Sequence, residues 1–89
     1  SPESLKRIAA LMLGEYKEPL AAKGIGRSWT EAALALLCEK AKGGKFGARD
    51  LRRVIRKEVE DAIAGKIISG EPLTAIEVDT QDGDIVLHC

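Results

Sequence analysis

Apolar residues recur at helical spacing in three stretches of this chain and alternate with polar ones in a fourth. Leu5, Ile8, Ala9, Met12, Tyr16 and Leu20 repeat every three or four positions, which predicts a first helix. Ser1 can cap it, Pro2 suits its first position, and Lys23-Gly24 supplies a cation and a left-handed end. Pro19 lies inside the pattern and should kink or break the helix just before Leu20. Thr30 then caps a second helix with Ala33, Leu34, Leu37, Cys38 and Ala41 on its apolar face, stopped by Gly43-Gly44. A third helix runs from Gly47 to about Ser69. Leu51, Ile55, Val59 and Ala62 fall on one side of it, flanked by Val54 and Ile63, and Gly70 and Pro72 close it. Ala75–Thr80 and Asp84–His88 alternate around Gln81-Asp82-Gly83, the pattern of a β-hairpin. Ile25–Trp29 is short enough for a further strand, although Gly26 and Arg27 make it a poor one.

These elements predict an α+β fold of about three helices with a small antiparallel sheet that includes a C-terminal hairpin. Eighty-nine residues bury one modest core, so a single domain over 1–89 is expected. Its core should hold Leu5, Ile8, Leu34, Leu37, Leu51, Ile55, Val59, Ile76 and Val78. Repeats, linkers and low-complexity segments are absent.

Charge adds the sharpest feature. The formal net charge is zero, yet residues 40–57 hold eight Lys or Arg against Asp50 alone, and residues 70–89 hold five acids and no Lys or Arg. The start of the third helix carries Arg49, Arg52, Arg53, Arg56 and Lys57, while Glu58, Glu60 and Asp61 come later. That order opposes the helix dipole, and each first-turn cation costs about 0.3–1 kcal/mol with nothing negative beside it. A bound anion reverses the sign, because free N–H groups and a guanidinium fork together suit phosphate. Gly47 and Ala48 leave the helix start unobstructed before Arg49. The competing reading of the same charges is a solvated face paired along the helix with Glu58, Glu60 and Asp61.

Gly47-Ala48-Arg49-Asp50-Leu51-Arg52-Arg53-Val54-Ile55 resembles the sensor-2 motif of the Clp family of AAA+ protein unfoldases. Glu58-Val59-Glu60-Asp61 and Ile67-Ile68-Ser69-Gly70 are similar to the same family's C-terminal small subdomain. The likeness also takes in the Leu5–Leu13 helix, Lys23-Gly24-Ile25 and Thr30-Glu31-Ala32-Ala33. It implies a lid that packs against a large ATPase subdomain of the same chain, with nucleotide in the crevice between them. Gly47, Ala48 and Arg49 would be the nucleotide-sensing residues, with Arg49 reaching the β/γ-phosphates. Arg52 and Arg53 would make secondary phosphate or inter-subunit contacts. ATP with magnesium belongs to the full-length parent, and the fragment alone should hold neither. Other implied partners are the neighbouring subunits of a homohexamer, unfolded protein substrates and, as a further candidate, a partner peptidase. The implied location is the cytoplasm.

Several chemistries are excluded. The sequence has no G-x-x-x-x-G-K-[ST] phosphate loop, and its one histidine stands at the C-terminus, so the fragment itself should not be an enzyme. No apolar run approaches the roughly 20 residues of a membrane span, and no signal-peptide pattern opens the sequence. Zero net charge and only Tyr16, Trp29 and Phe46 as stacking residues argue against nucleic-acid binding. Cys38 reads as a small core residue and Cys89 as an exposed terminus, with no disulfide required. His88 beside Cys89 lacks a second pair at ligand spacing, so no metal site is expected. Two other classes remain open on the residues alone, a stand-alone helical module binding nucleic acid through its arginines and a protein-interaction adaptor.

Overall fold

The computed structural model describes residues 2–89, so the capping role read for Ser1 lies outside the described residues. Helix α1 (Pro2–Gly14) is followed by the short helix α2 (Lys17–Ala21) and strand β1 (Gly26–Trp29). Next come α3 (Glu31–Ala41) and a rod built from α4 (Ala48–Ile55), a π-helical turn (Arg56–Glu60) and α5 (Asp61–Ile68). Strands β2 (Ala75–Gln81) and β3 (Asp84–His88) complete the fold. The order is α+β, with three helical regions and a small sheet, as the pattern implies.

The first helix breaks earlier than Pro19 suggests. Glu15 and Tyr16 donate to the carbonyls of Met12 and Leu13, three residues back, and the chain turns there. Pro19 becomes the third residue of α2, where a backbone N–H has no partner within the helix, so the ring costs little. At the other end, Gly24 has φ +75°, with Ile25 N bonded to Leu20 O and Gly24 N to Ala21 O. This paired closure is the left-handed cap expected from Lys23-Gly24.

Thr30 caps α3 as read, its Oγ1 accepting from Ala33 N at 3.1 Å. In the hairpin, Asp82 and Gly83 both have positive φ (52° and 82°), the geometry that matches the right-handed twist of the flanking strands. The sheet differs from the expected one in a single respect. Its order is β1-β2-β3, with β2 and β3 antiparallel but β1 parallel to β2, pairing Gly26 with Ala75 and Trp29 with Val78. Parallel neighbours need a long crossover, and residues 30–74 supply it as α3 and the rod.

The rod holds a second correction. Leu51, Ile55, Val59 and Ile63 are buried, whereas Ala62 is exposed. In an uninterrupted α-helix each four-residue step overshoots by about 40°, so Ile63 would swing about 120° from Leu51. The π turn, with Asp61 N bonded to Arg56 O, unwinds that drift and turns Ile63 to the core in place of Ala62. Tyr16 packs beside this turn and donates its hydroxyl to Glu60 Oε1 at 3.0 Å. Burial first, then that bond, pushes the Tyr16 hydroxyl up to about 12.

Ala9, Met12 and Leu13 carry the buried side of α1, while Leu5 and Ile8 pack against the core only partly buried. The other seven expected core residues, from Leu34 to Val78, are buried. No helix among the described residues is long and apolar enough to cross a membrane.

Candidate functional site: an arginine-lined groove at the start of the rod

Between α1 and the start of the rod lies an open groove of about 560 Å³, lined by Met12, Ala48, Arg49, Arg52, Arg53 and Arg56. The arginines converge because positions 49, 52, 53 and 56 share one helix face, while Leu51, Val54 and Ile55 face the core.

Each guanidinium is held differently. Arg52 forms a two-pronged bond to Glu15, with Nη1 to Oε1 and Nη2 to Oε2 both at 2.9 Å, and so ties the end of α1 to the rod. That fork holds the Glu15 carboxyl below its ordinary range and raises Arg52 further. Arg53 Nη2 stands 3.9 Å from Asp50 Oδ1. Arg49 lies over the exposed Phe46 ring, 4.7 Å from its centroid, and has no carboxylate partner among the described residues. The Arg56 guanidinium is likewise without a salt bridge there.

The helix start explains how the adverse charge order is tolerated. Gly47 adopts φ +53° and ψ −105°, open to glycine and strained for any other residue, and Leu51 N bonds to its carbonyl. Asp50 then reaches back, its Oδ2 accepting from Phe46 N at 2.7 Å. Part of the negative charge that the dipole favours is therefore supplied from within the chain. Gly44 makes room for it, because a Cβ at that position would run into the Asp50 carboxylate. Gly44→Ala should thus break or bend the Asp50 bond and cost about 1 kcal/mol. In a double-mutant cycle with Asp50→Ala the two losses should not add. Chemical denaturation of the three variants checks this, and full additivity would show that Gly44 and Asp50 act separately.

Of the residues singled out from sequence, Ala48, Arg49, Arg52 and Arg53 line the groove. Arg56 joins them, although the family resemblance gives it no role. Gly47 borders a neighbouring hollow between α1 and α3, together with Leu5, Ile8 and Cys38. Burial pushes the Cys38 thiol up. Sequence reasoning missed Glu15 as the partner of Arg52, since 37 residues separate them. It also missed the Phe46–Arg49 stack, which their three-residue spacing could have suggested.

Chemically, the groove can receive a polyanion through Arg49, Arg53 and Arg56. It offers no carboxylate for magnesium among the described residues, because Glu15 is bonded to Arg52 and Asp50 to the Phe46 amide.

Comparison with known proteins identifies the family of the chain. Residues 1–79 match the family described as the C-terminal, D2-small domain of ClpB protein. The chain is 36% identical to the ATP-dependent Clp protease ATP-binding subunit ClpE of Bacillus subtilis over 83 residues, covering 93% of this chain and 12% of that protein. It is 36% identical to the chloroplastic chaperone protein ClpC3 of Oryza sativa, covering 93% and 9%. Against the chaperone protein ClpB of Rhodopirellula baltica the identity is 37%, covering 90% and 9%. The chain thus spans about a tenth of the length of these curated relatives. With helices, sheet and arginine-bearing rod in place, the chain belongs to the C-terminal small-domain family of the Clp-type AAA+ chaperone ATPases.

Proposed function

We propose that this domain is the nucleotide-sensing lid of a Clp-type ATP-dependent unfoldase, with Arg49 as its sensor. The observation that carries the reading is the Arg49 guanidinium, which lines a groove and has no carboxylate partner among the described residues, while Glu15 and Asp50 beside it are already engaged. In the full-length protein a large ATPase subdomain would close over this groove and enclose ATP. Arg49 would leave or tilt on Phe46 and fork onto the β/γ-phosphates, where its fixed charge favours the state with most negative charge on the phosphoryl oxygens. The magnesium and its ligands would come from the large subdomain, since the described residues that line the groove include no carboxylate.

Arg53 and Arg56, further along the rod, would act as secondary phosphate or inter-subunit contacts. Arg52 would serve chiefly to hold α1 against the rod through Glu15. Because Leu51, Ile55, Val59 and Ile63 lock the rod into the core, a pull on Arg49 would move the lid as one body. Such rotation, passed to the next subunit of a hexamer, would transmit ATP-driven motion to a protein being unfolded.

Calorimetry with ATP and magnesium tests the division of labour. The 89-residue chain alone should show no micromolar binding and no hydrolysis. A few charge-assisted bonds of about 1.5–3 kcal/mol each must also cover the cost of ordering the ligand. The full-length protein, by contrast, should bind tightly and lose affinity with Arg49→Ala. Micromolar binding to the chain alone would place the complete site here and refute the lid reading.

A further inference from the structure

The face of the sheet turned away from the helices carries a second group of chemically active side chains. Along β2, Ile76 and Val78 are buried against the core, so Glu77 and Asp79 project from the opposite face, two residues apart. On β3, His88 is the direct cross-strand partner of Glu77. The hairpin register therefore brings two carboxylates and one imidazole together, and their ligand atoms all lie within 4.8 Å of one another. We propose that Glu77, Asp79 and His88 form a binding site for a divalent transition metal of the zinc class.

The donor set favours zinc over calcium or magnesium. An imidazole nitrogen with two carboxylate oxygens is a borderline-soft set, and three protein ligands leave the fourth tetrahedral position to water. Bond lengths near 2.0–2.2 Å put neighbouring ligand atoms about 3.3 Å apart, which small side-chain rotations can reach from the present spacing. His88 Nε2 already lies 2.9 Å from Asp79 Oδ2. In one neutral tautomer Nε2 donates to that oxygen. In the other, with the proton on Nδ1, it offers its lone pair to a cation held by the same carboxylate, with no net proton lost.

An outer partner holds the carboxylate in place. The Thr30 hydroxyl donates to Asp79 Oδ1 at 3.0 Å, so Oδ2 is the oxygen turned toward His88. Thr30 is itself fixed as the cap of α3, and its backbone N bonds to Val78 O. This is the kind of support that orients metal ligands, and it comes from a separate element of the fold. A simple Asp79–His88 ion pair is the competing account, and it has no use for Glu77.

The test uses the chelator-stripped 89-residue chain with Cys38→Ser and Cys89→Ser, so that no thiol competes. Zinc chloride should bind at one site by calorimetry and raise the thermal midpoint. His88→Ala and Glu77→Gln should each weaken binding by at least about tenfold, while Thr30→Ser, which keeps both the cap and the donor, should retain it. Absence of heat and of any midpoint change at millimolar zinc would overturn the proposal. So would one-site binding that survives both His88→Ala and Glu77→Gln.

Discussion

Replacing Arg49 by alanine in the assembled full-length protein should cut ATP turnover by one to several orders of magnitude, the range seen when a phosphate-clamping arginine is lost. Stability of the domain should barely change, and the magnitudes show why. The exposed stack of Arg49 on Phe46 contributes about 0.5–1 kcal/mol. The same charge in the first turn of α4 costs about 0.3–1 kcal/mol against the dipole, so the two nearly cancel. Arg53→Ala should reduce turnover less, because Arg53 lies a turn further along and already has Asp50 at 3.9 Å. ATPase rate and thermal midpoint, measured on both variants in the assembled protein, decide the matter. Equal losses would mean a diffuse basic face, and no loss from either would remove Arg49 as the sensor.

Leu51→Ala should have the opposite profile, a large loss of stability with the groove chemistry untouched in any molecule that remains folded. Leu51 is fully buried, two residues from Arg49 and pointing the other way. Truncating a buried leucine costs about 2–5 kcal/mol, much of it from the cavity left behind. Small domains hold about 5–15 kcal/mol in all, so the loss is a large share of the total. At roughly 4–8 °C per kcal/mol, the midpoint of this domain should fall by about 8–40 °C. Thermal unfolding followed by circular dichroism measures it directly. A drop of only a few degrees would show that the rod is not anchored through Leu51, and with it the account of Arg49 riding on a rigid rod would fail.

The pair of variants also separates two things that one short segment encodes. Residues 49–56 read as alternately charged and apolar because one side of a helix builds the core while the other builds the groove. A change on one side should be nearly silent on the other, since the helix holds the two sets of side chains on opposite faces.

Much of this was legible in the sequence, because it depends on neighbours a few residues apart. Thr30 as a cap, Gly24 as a left-handed end, Asp82-Gly83 as the hairpin turn and Arg49 at a helix start all follow from local backbone geometry and helical spacing. The family resemblance rested on the same local features in their order along the chain. What only the tertiary structure decided involves residues far apart or a count that local periodicity cannot supply. The π turn substitutes Ile63 for Ala62 because packing against the core outweighs regular α-helical bonding over one turn. The direction of β1 depends on where the crossover returns the chain. The Glu15–Arg52 fork spans 37 residues, and Thr30, Asp79 and His88 meet only when α3 and the hairpin are both in place. Local chemistry determined which elements form, and burial of one shared core determined which side chains meet.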